Sequence, residues 1–193
     1  RNIIRSQNYS MLTDLQEIIE SVKKGDQAAF RRIVEEYRQQ AFSLAFRIMC
    51  DEEEARDVVQ ESFIKVWQKI ETYDMTQKFS TWLYKIVANS AIDRLRQIKR
   101  HNLVNLEKVI SQLDHINREI TQMEVDNKET TELIRWLAEG LPEKQQIVFV
   151  LRDLQGIESS EVRQILNLSE NSVKSNLYHA RKAIREKLLK VIK

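Results

Sequence analysis

Residues 57–100 read DVVQESFIKVWQKIETYDMTQKFSTWLYKIVANSAIDRLRQIKR, and their pattern is that of two amphipathic helices around a short polar break. In the first, Val59, Phe63, Val66 and Ile70 recur at the spacing of one buried stripe. A second stripe of the same helix reads Asp57, Gln60, Glu61, Ile64 and Gln68, polar with one apolar member. The segment Glu71–Lys78 (ETYDMTQK) breaks the period and is expected to be a loop. The second helix is expected to bury Leu83, Val87, Ala91, Leu95 and Ile98, and to present Trp82, Lys85, Asn89, Arg96 and Arg100 on its other faces. One apolar face is enough to fold a helix, so the remaining faces are open to partners.

Upstream, Leu12, Leu15, Ile18, Ile19 and Val22 predict a short helix over 12–24 that ends near Gly25. Asp26 is placed to cap the next helix, whose core face carries Phe30, Ile33, Val34, Tyr37, Ala41, Leu44, Ala45 and Ile48. The acidic run DEEEA follows. Asp51 and Glu54 have capping-box spacing, and acids suit the positive end of a helix dipole. A metal site is disfavoured there, because neither a His or Cys cluster nor a glycine turn accompanies the run.

Downstream of Arg100 the chain turns polar and acidic. Leu106, Val109, Ile110 and Leu113 keep some helical period, so 101–130 is expected as a linker with a helix inside it. A second compact unit begins near Glu132. Leu133, Ile134, Trp136 and Leu137 form a short helix stopped at Gly140, and Pro142 opens the next, which carries Ile147, Val148, Val150, Leu151 and Leu154 to near Gly156. Two further helices carry Val162 and Ile165, then Val173, Leu177, Ala180 and Ile184. They are split at Leu166–Asn167–Leu168–Ser169, where Asn167 suits a left-handed turn and Ser169 a cap. Helix, tight turn, helix with a basic end is the helix-turn-helix pattern.

The totals agree with an all-α chain of two small helical domains, 12–100 and 131–193, joined by 101–130. Its 193 residues suit two such units, and 3 Gly with 1 Pro leave little turn chemistry for hairpins. The single cysteine, Cys50, excludes an internal disulfide and reads as a core residue. The longest apolar run, Ile147–Leu151, is far too short to span a bilayer, and no signal-peptide pattern opens the chain. A cytoplasmic protein without direct membrane insertion is expected; Met11 is a candidate native start.

Two stretches carry candidate nucleic-acid chemistry. In the last helix, Ser169, Asn171 and Ser172 lie at the N-terminal end, where short polar side chains reach base edges in a major groove. Lys174, Ser175, Asn176, Tyr178 and His179 continue that side, and Arg181 and Lys182 are placed for phosphates. The competing account, a solvated basic terminus that complements its dipole, is weaker after so clear a turn. In the earlier helix, Phe79, Trp82 and Tyr84 stand among Lys78, Lys85, Arg94, Arg96, Lys99 and Arg100. Such a mixture binds an unpaired strand by stacking and phosphate contacts. The plainer alternative is that the aromatics anchor the core and the bases form a wet face.

The runs EARDVVQESFIKVWQKI, FSTWLYKIVANSAIDRLR and GIESSEVRQILNLSENSVKSNLYHARKAIREKL, in that order, resemble the extracytoplasmic-function (group IV) sigma factors of bacterial RNA polymerase, in the sigma-70 family. The resemblance runs from about Asp14 almost to the end. It implies a region 2-like helical bundle, a region 4-like helix-turn-helix and no catalysis. By this likeness Asp57, Gln60, Glu61 and Ile64 grip the clamp coiled coil of the largest polymerase subunit. Lys78, Phe79, Trp82, Lys85, Asn89 and Arg96, with Lys99 and Arg100 beyond them, recognise and hold open the promoter −10 element. The linker threads toward the polymerase active-site and RNA-exit channels, and the C-terminal domain reads the −35 element and rests on the polymerase flap. An anti-sigma factor is implied as a regulatory partner. The chain departs from the family at Asn176 and His179, where Arg is common, at Arg163, where Ala is common, and at Glu158, which replaces a Ser/Thr cap.

The competing reading is a stand-alone helix-turn-helix regulator, which leaves 57–100 without a role. An enzyme is disfavoured: His101, His115 and His179 are scattered, phosphate-cradling glycine loops are absent, and no nucleophile–base pair stands out. Neither a metal, a cofactor nor a small-molecule substrate is expected.

Overall fold

The computed structural model describes residues 14–109, 136–137 and 140–191. Among them every regular element is helical. Helix α1 (residues 14–23) leads into α2 (Gln27–Met49) and α3 (Glu52–Lys69), which tightens into a 3₁₀ turn at Ile70–Thr72. Helix α4 (Phe79–Val109) follows. The C-terminal unit comprises α5 (Glu143–Phe149), a π turn (Val150–Leu154), α6 (Ser159–Leu166) and α7 (Glu170–Val191).

Local chemistry sets most of these ends. Asp26 accepts hydrogen bonds from the N–H groups of Ala28 and Ala29 at 2.8 and 3.1 Å. Asp51 accepts from Glu54 N–H at 3.0 Å, and Ser169 Oγ from Ser172 N–H at 3.2 Å. Each such cap contributes about 1 kcal/mol. The expected capping box is one-sided, because the Glu54 carboxylate is drawn to Arg94 instead of folding back on Asp51. Asn167 takes the left-handed conformation foreseen for the turn, with φ +52°. Glu158, at the start of α6, makes no side-chain cap.

Helices α2, α3 and α4 pack against one another around Ala41, Leu44, Val58, Val66, Leu83, Val87 and Ala91, all buried. Full burial of an aliphatic side chain of this size contributes about 1.5–3 kcal/mol. The stripe of α3 is turned slightly from the expected one. Val58 rather than Val59 is fully buried, with Ser62 beside it donating its hydroxyl to Val58 O at 2.6 Å. That bond satisfies the one polar side chain the stripe admits. Leu95 and Ile98 of α4 are half-buried at the edge of the same core. Cys50 is buried, as expected of a small apolar residue.

Helix α4 continues past residue 100 to Val109, so the first residues of the expected linker belong to it. No glycine or proline lies between Gly25 and Gly140 to stop a helix. The helix expected within 110–130, the residues before Asp14, and Leu133 with Ile134 lie outside the described residues.

The C-terminal unit shares the N-terminal core. Ile147, Val150, Leu151, Ile157, Val162 and Ile165 belong to the same buried cluster as Leu83 and Val87, and α6 packs along α4. Phe149, Ala180 and Ile184 form a smaller cluster with Leu137 and Leu141. The π turn closes through Gln155 N–H to Val150 O and Ile157 N–H to Leu151 O, both 2.9 Å. Between these two donors Gly156 sits at φ +67°, a backbone conformation that favours glycine. Arg163 is exposed and lies 4.0 Å from Glu170 across the turn, so it does not crowd the packing of α6 on α7.

The segment between α3 and α4 is tied down by Tyr73. Its ring packs on Phe79 and Trp82, its hydroxyl donates to Gln77 O at 2.6 Å, and its carbonyl accepts from Lys23 Nζ at 3.0 Å. Burial, with Tyr37 and Asp74 nearby, pushes the phenol up to about 12 from an ordinary 10.0. The fold thus favours the neutral phenol. Its contribution to stability is complete below pH 10 and is lost as pH rises through about 12. In a spectrophotometric alkaline titration, Tyr73→Phe should abolish the latest phenolate transition and flatten the loss of helicity across that window. An unchanged late transition refutes the assignment.

Candidate nucleic-acid interface

Three surfaces emerge from this packing. The first lies on α3, where Asp57, Gln60, Glu61 and Ile64 are all exposed. Ile64 is 50% exposed, which is unusual for a large aliphatic side chain. It borders an open groove of about 710 Å³ between α2 and α3, floored by Phe30, Val34, Phe42, Phe63 and Trp67 and edged by Arg38 and Gln60. Phe30 meets Trp67 edge-on at 5.0 Å. The α2 side of this surface was not anticipated from the sequence. The available signal was that α2 carries more apolar positions than one buried stripe needs. Glu61 is held by Lys65 at 2.7 Å, and Lys65 also donates to Ser90 of α4 at 2.9 Å.

The second surface is the aromatic and basic edge of α4. Lys78, Lys85, Asn89, Arg96 and Arg100 are exposed; the Lys99 side chain lies outside the described residues. Trp82 is half-buried, tilted against Tyr73 at 5.1 Å and Phe79 at 5.7 Å. Phe79 differs from the expectation of a DNA-stacking ring. It is 3% exposed and packs edge-on against Tyr37 and Tyr73, so it is a core anchor on which Trp82 rests. Arg94 is also structural, bound to Glu54 of α3 by Nε and, at 3.0 Å, by Nη2. That pairing raises the guanidinium's already high pKa. Two cations of the edge bind the C-terminal unit: Lys78 pairs with Glu161, and Arg96 meets Glu143 through Nη2 at 2.6 Å and Nε at 3.2 Å.

The third surface is the exposed side of α7. Ser169, Asn171, Lys174, Ser175, Tyr178, His179 and Lys182 are exposed there, and Ser172 and Asn176 partly so. Asn176 folds back, donating to Ser172 O at 2.8 Å. Tyr178 is 65% exposed with His179 edge-on beside it at 5.4 Å. Arg181 is engaged within its own unit, held by Asp153 through Nε at 2.8 Å and Nη2 at 2.6 Å. Lys174 pairs with Glu170 at 2.7 Å, and this hydrogen bond lowers the carboxyl's pKa.

A helical bundle with a basic, aromatic-backed helix, followed by a helix-turn-helix, is the plan of a sigma-70-type initiation factor. Comparison bears this out: residues 33–101 match the model for Sigma-70 region 2, and residues 132–184 that for Sigma-70, region 4. The chain is 33% identical to the ECF RNA polymerase sigma factor SigW of Bacillus subtilis (strain 168) over 181 residues, 88% of this chain and 94% of that one. It is 31% identical to the ECF RNA polymerase sigma-E factor of Escherichia coli (strain K12) over 188 residues, 94% and 97% of the two. In fold it is similar to CnrH in complex with the cytosolic domain of CnrY, with TM-score 0.68 at 20% identity over 91% of this chain and 97% of that one. The chain belongs to the extracytoplasmic-function sigma factors of the sigma-70 family and directs transcription initiation by RNA polymerase. No helix among the described residues is long and apolar enough to cross a membrane.

The engagement of Arg181 changes what its removal should do. Arg181→Ala deletes a two-pronged pair between α7 and the π turn and is expected to destabilise the protein by up to about 1 kcal/mol, the usual ceiling for a largely exposed pair. Lys182→Ala, at an exposed position next to it, should leave stability unchanged. Urea denaturation of both variants checks this; equal midpoints count against a structural role for Arg181.

Proposed function

We propose that this sigma factor docks on the clamp coiled coil of core RNA polymerase through Asp57, Gln60, Glu61 and Ile64, with the neighbouring α2–α3 groove taking apolar side chains of the partner. The observation that carries the reading is Ile64, a half-exposed aliphatic set in a polar stripe beside an apolar groove. A large apolar side chain rimmed by polar ones marks a protein contact that must also be compatible with water.

Promoter DNA is then engaged by two units, 12–100 and 131–193, connected through 101–130. On α4, Trp82 offers a partly open ring face, and Lys85 and Asn89 stand free of the C-terminal unit, a combination suited to an unpaired −10 strand. On α7, short polar groups precede cations in the order that a major-groove helix uses at a −35 duplex. The protein carries no catalytic group of its own; the bond-forming chemistry belongs to the polymerase. It acts in the cytoplasm. An anti-sigma factor is its regulator, since the relative of TM-score 0.68 was captured with a partner's cytosolic domain, and the sigma factor RpoE of Bartonella quintana, TM-score 0.64 at 19% identity, with the anti-sigma factor NepR.

Promoter-dependent transcription by purified core polymerase, with and without the chain, tests the reading. Equal initiation without it sinks the proposal, and sequence-specific duplex binding without polymerase favours a stand-alone regulator instead. Asp57→Ala combined with Gln60→Ala should weaken core binding at least about tenfold with helicity unchanged, as for a central interface contact. Unaltered affinity removes that face from the interface.

A further inference from the structure

The cations of α4 that face the promoter in the proposed reading are already partnered within the chain. Lys78 pairs with Glu161 of α6, and Arg96 with Glu143 at the start of α5. The two cations lie about 27 Å apart along α4 at the rise of an α-helix. Between these clamps α6 lies along α4, with Ile157, Val162 and Ile165 in the cluster that holds Leu83 and Val87. The π turn is fixed to α2 as well: Gln155 Nε2 donates to Ser43 Oγ at 3.1 Å, and an Arg47 Nη1 donates to Leu154 O.

We propose that Glu143 and Glu161 act as internal stand-ins for backbone phosphates, holding the C-terminal unit over the basic edge of α4 so that the free chain is closed to the −10 strand. The proposal rests on the assignment of that edge to the −10 element. The apolar seam provides most of the adhesion. The two carboxylates set its register and occupy the cations a strand would need.

The closed form leaves Asp57, Gln60, Glu61 and Ile64 exposed, and most of the exposed side of α7 as well. Polymerase therefore has access to its docking face before the latch opens, whereas the −10 strand does not. This imposes an order: docking on polymerase first, separation of the units next, and capture of the unpaired strand last. Exposed ion pairs are weak and exchange readily, so they suit a latch that opens when polymerase draws the units apart.

Glu143→Gln with Glu161→Gln removes both stand-ins and touches no residue assigned to polymerase or DNA. Binding of a short fluorescein-labelled single strand of randomised sequence by the free protein should tighten about tenfold, the combined effect of two exposed pairs. Unchanged affinity overturns the latch. A second arm joins the units directly: Lys78→Cys with Glu161→Cys, bridged by a bis-methanethiosulfonate reagent. The bridged protein should bind core polymerase yet lose at least about tenfold in promoter opening relative to the same protein after reduction. Equal opening before and after reduction overturns the proposal too. Failure of the wild-type chain to support transcription would instead strike the assignment of function, which the randomised-strand measurement does not require.

Discussion

Leu83, Val87 and Ala91 have no exposed surface, and their burial fixes the rotation of α4 about its own axis. Once those three positions face inward, the helix period dictates where Lys85, Asn89 and Arg96 emerge. Truncating such a residue to alanine costs about 2–5 kcal/mol where the core cannot collapse around it. The stripe therefore does more than stabilise. It aims a row of cations and a tryptophan at a common edge, and it presents that edge to whatever lies alongside, the C-terminal unit in the closed chain.

The same packing relates this edge to the polymerase-facing side of α3. Arg94 reaches from α4 to both carboxylate oxygens of Glu54, and Lys65 reaches back from α3 to Ser90. A fork-shaped guanidinium on a carboxylate constrains direction as well as distance. Polymerase gripping α3 is thereby gripping a body in which the face of α4 is already set. Tyr73 and Phe79 add the remaining constraint, since they seat the start of α4 and hold Trp82 tilted between them.

Features decided within a few residues were legible in the sequence. The caps at Asp26, Asp51 and Ser169 and the left-handed Asn167 are where residue type predicts them, because each depends only on its immediate neighbours. The exposed polar stripe on α3 was legible for a similar reason, as helical periodicity alone separates it from Val58 and Val66. Partner choice was not. Glu54 had a local option in the capping box and a distant one in Arg94, and nothing in its neighbourhood says which wins. Arg181 next to Lys182 reads as one basic patch, yet only the former finds Asp153 across the unit. Phe79 beside Trp82 reads as a pair of stacking rings until the fold brings Tyr37 and Tyr73 against the first. The groove between α2 and α3 needs both helices in place before Phe30, Phe42 and Ile64 become one surface.

Charge balance connects the closed form to a dependence on polymerase. The chain carries 31 Lys and Arg against 29 Asp and Glu, so it has little net field to draw DNA from a distance. What attraction it has is local to α4 and α7. On α4, two of the exposed cations face carboxylates of the same chain; on α7, Arg181 and Lys174 do. Nonspecific DNA binding scales with the phosphates a surface can neutralise. A surface whose cations are neutralised internally has correspondingly little affinity for the bulk of the genome. Weak binding by the isolated chain and strict reliance on a larger complex are then two consequences of one arrangement, in which the carboxylates that close the molecule also silence it.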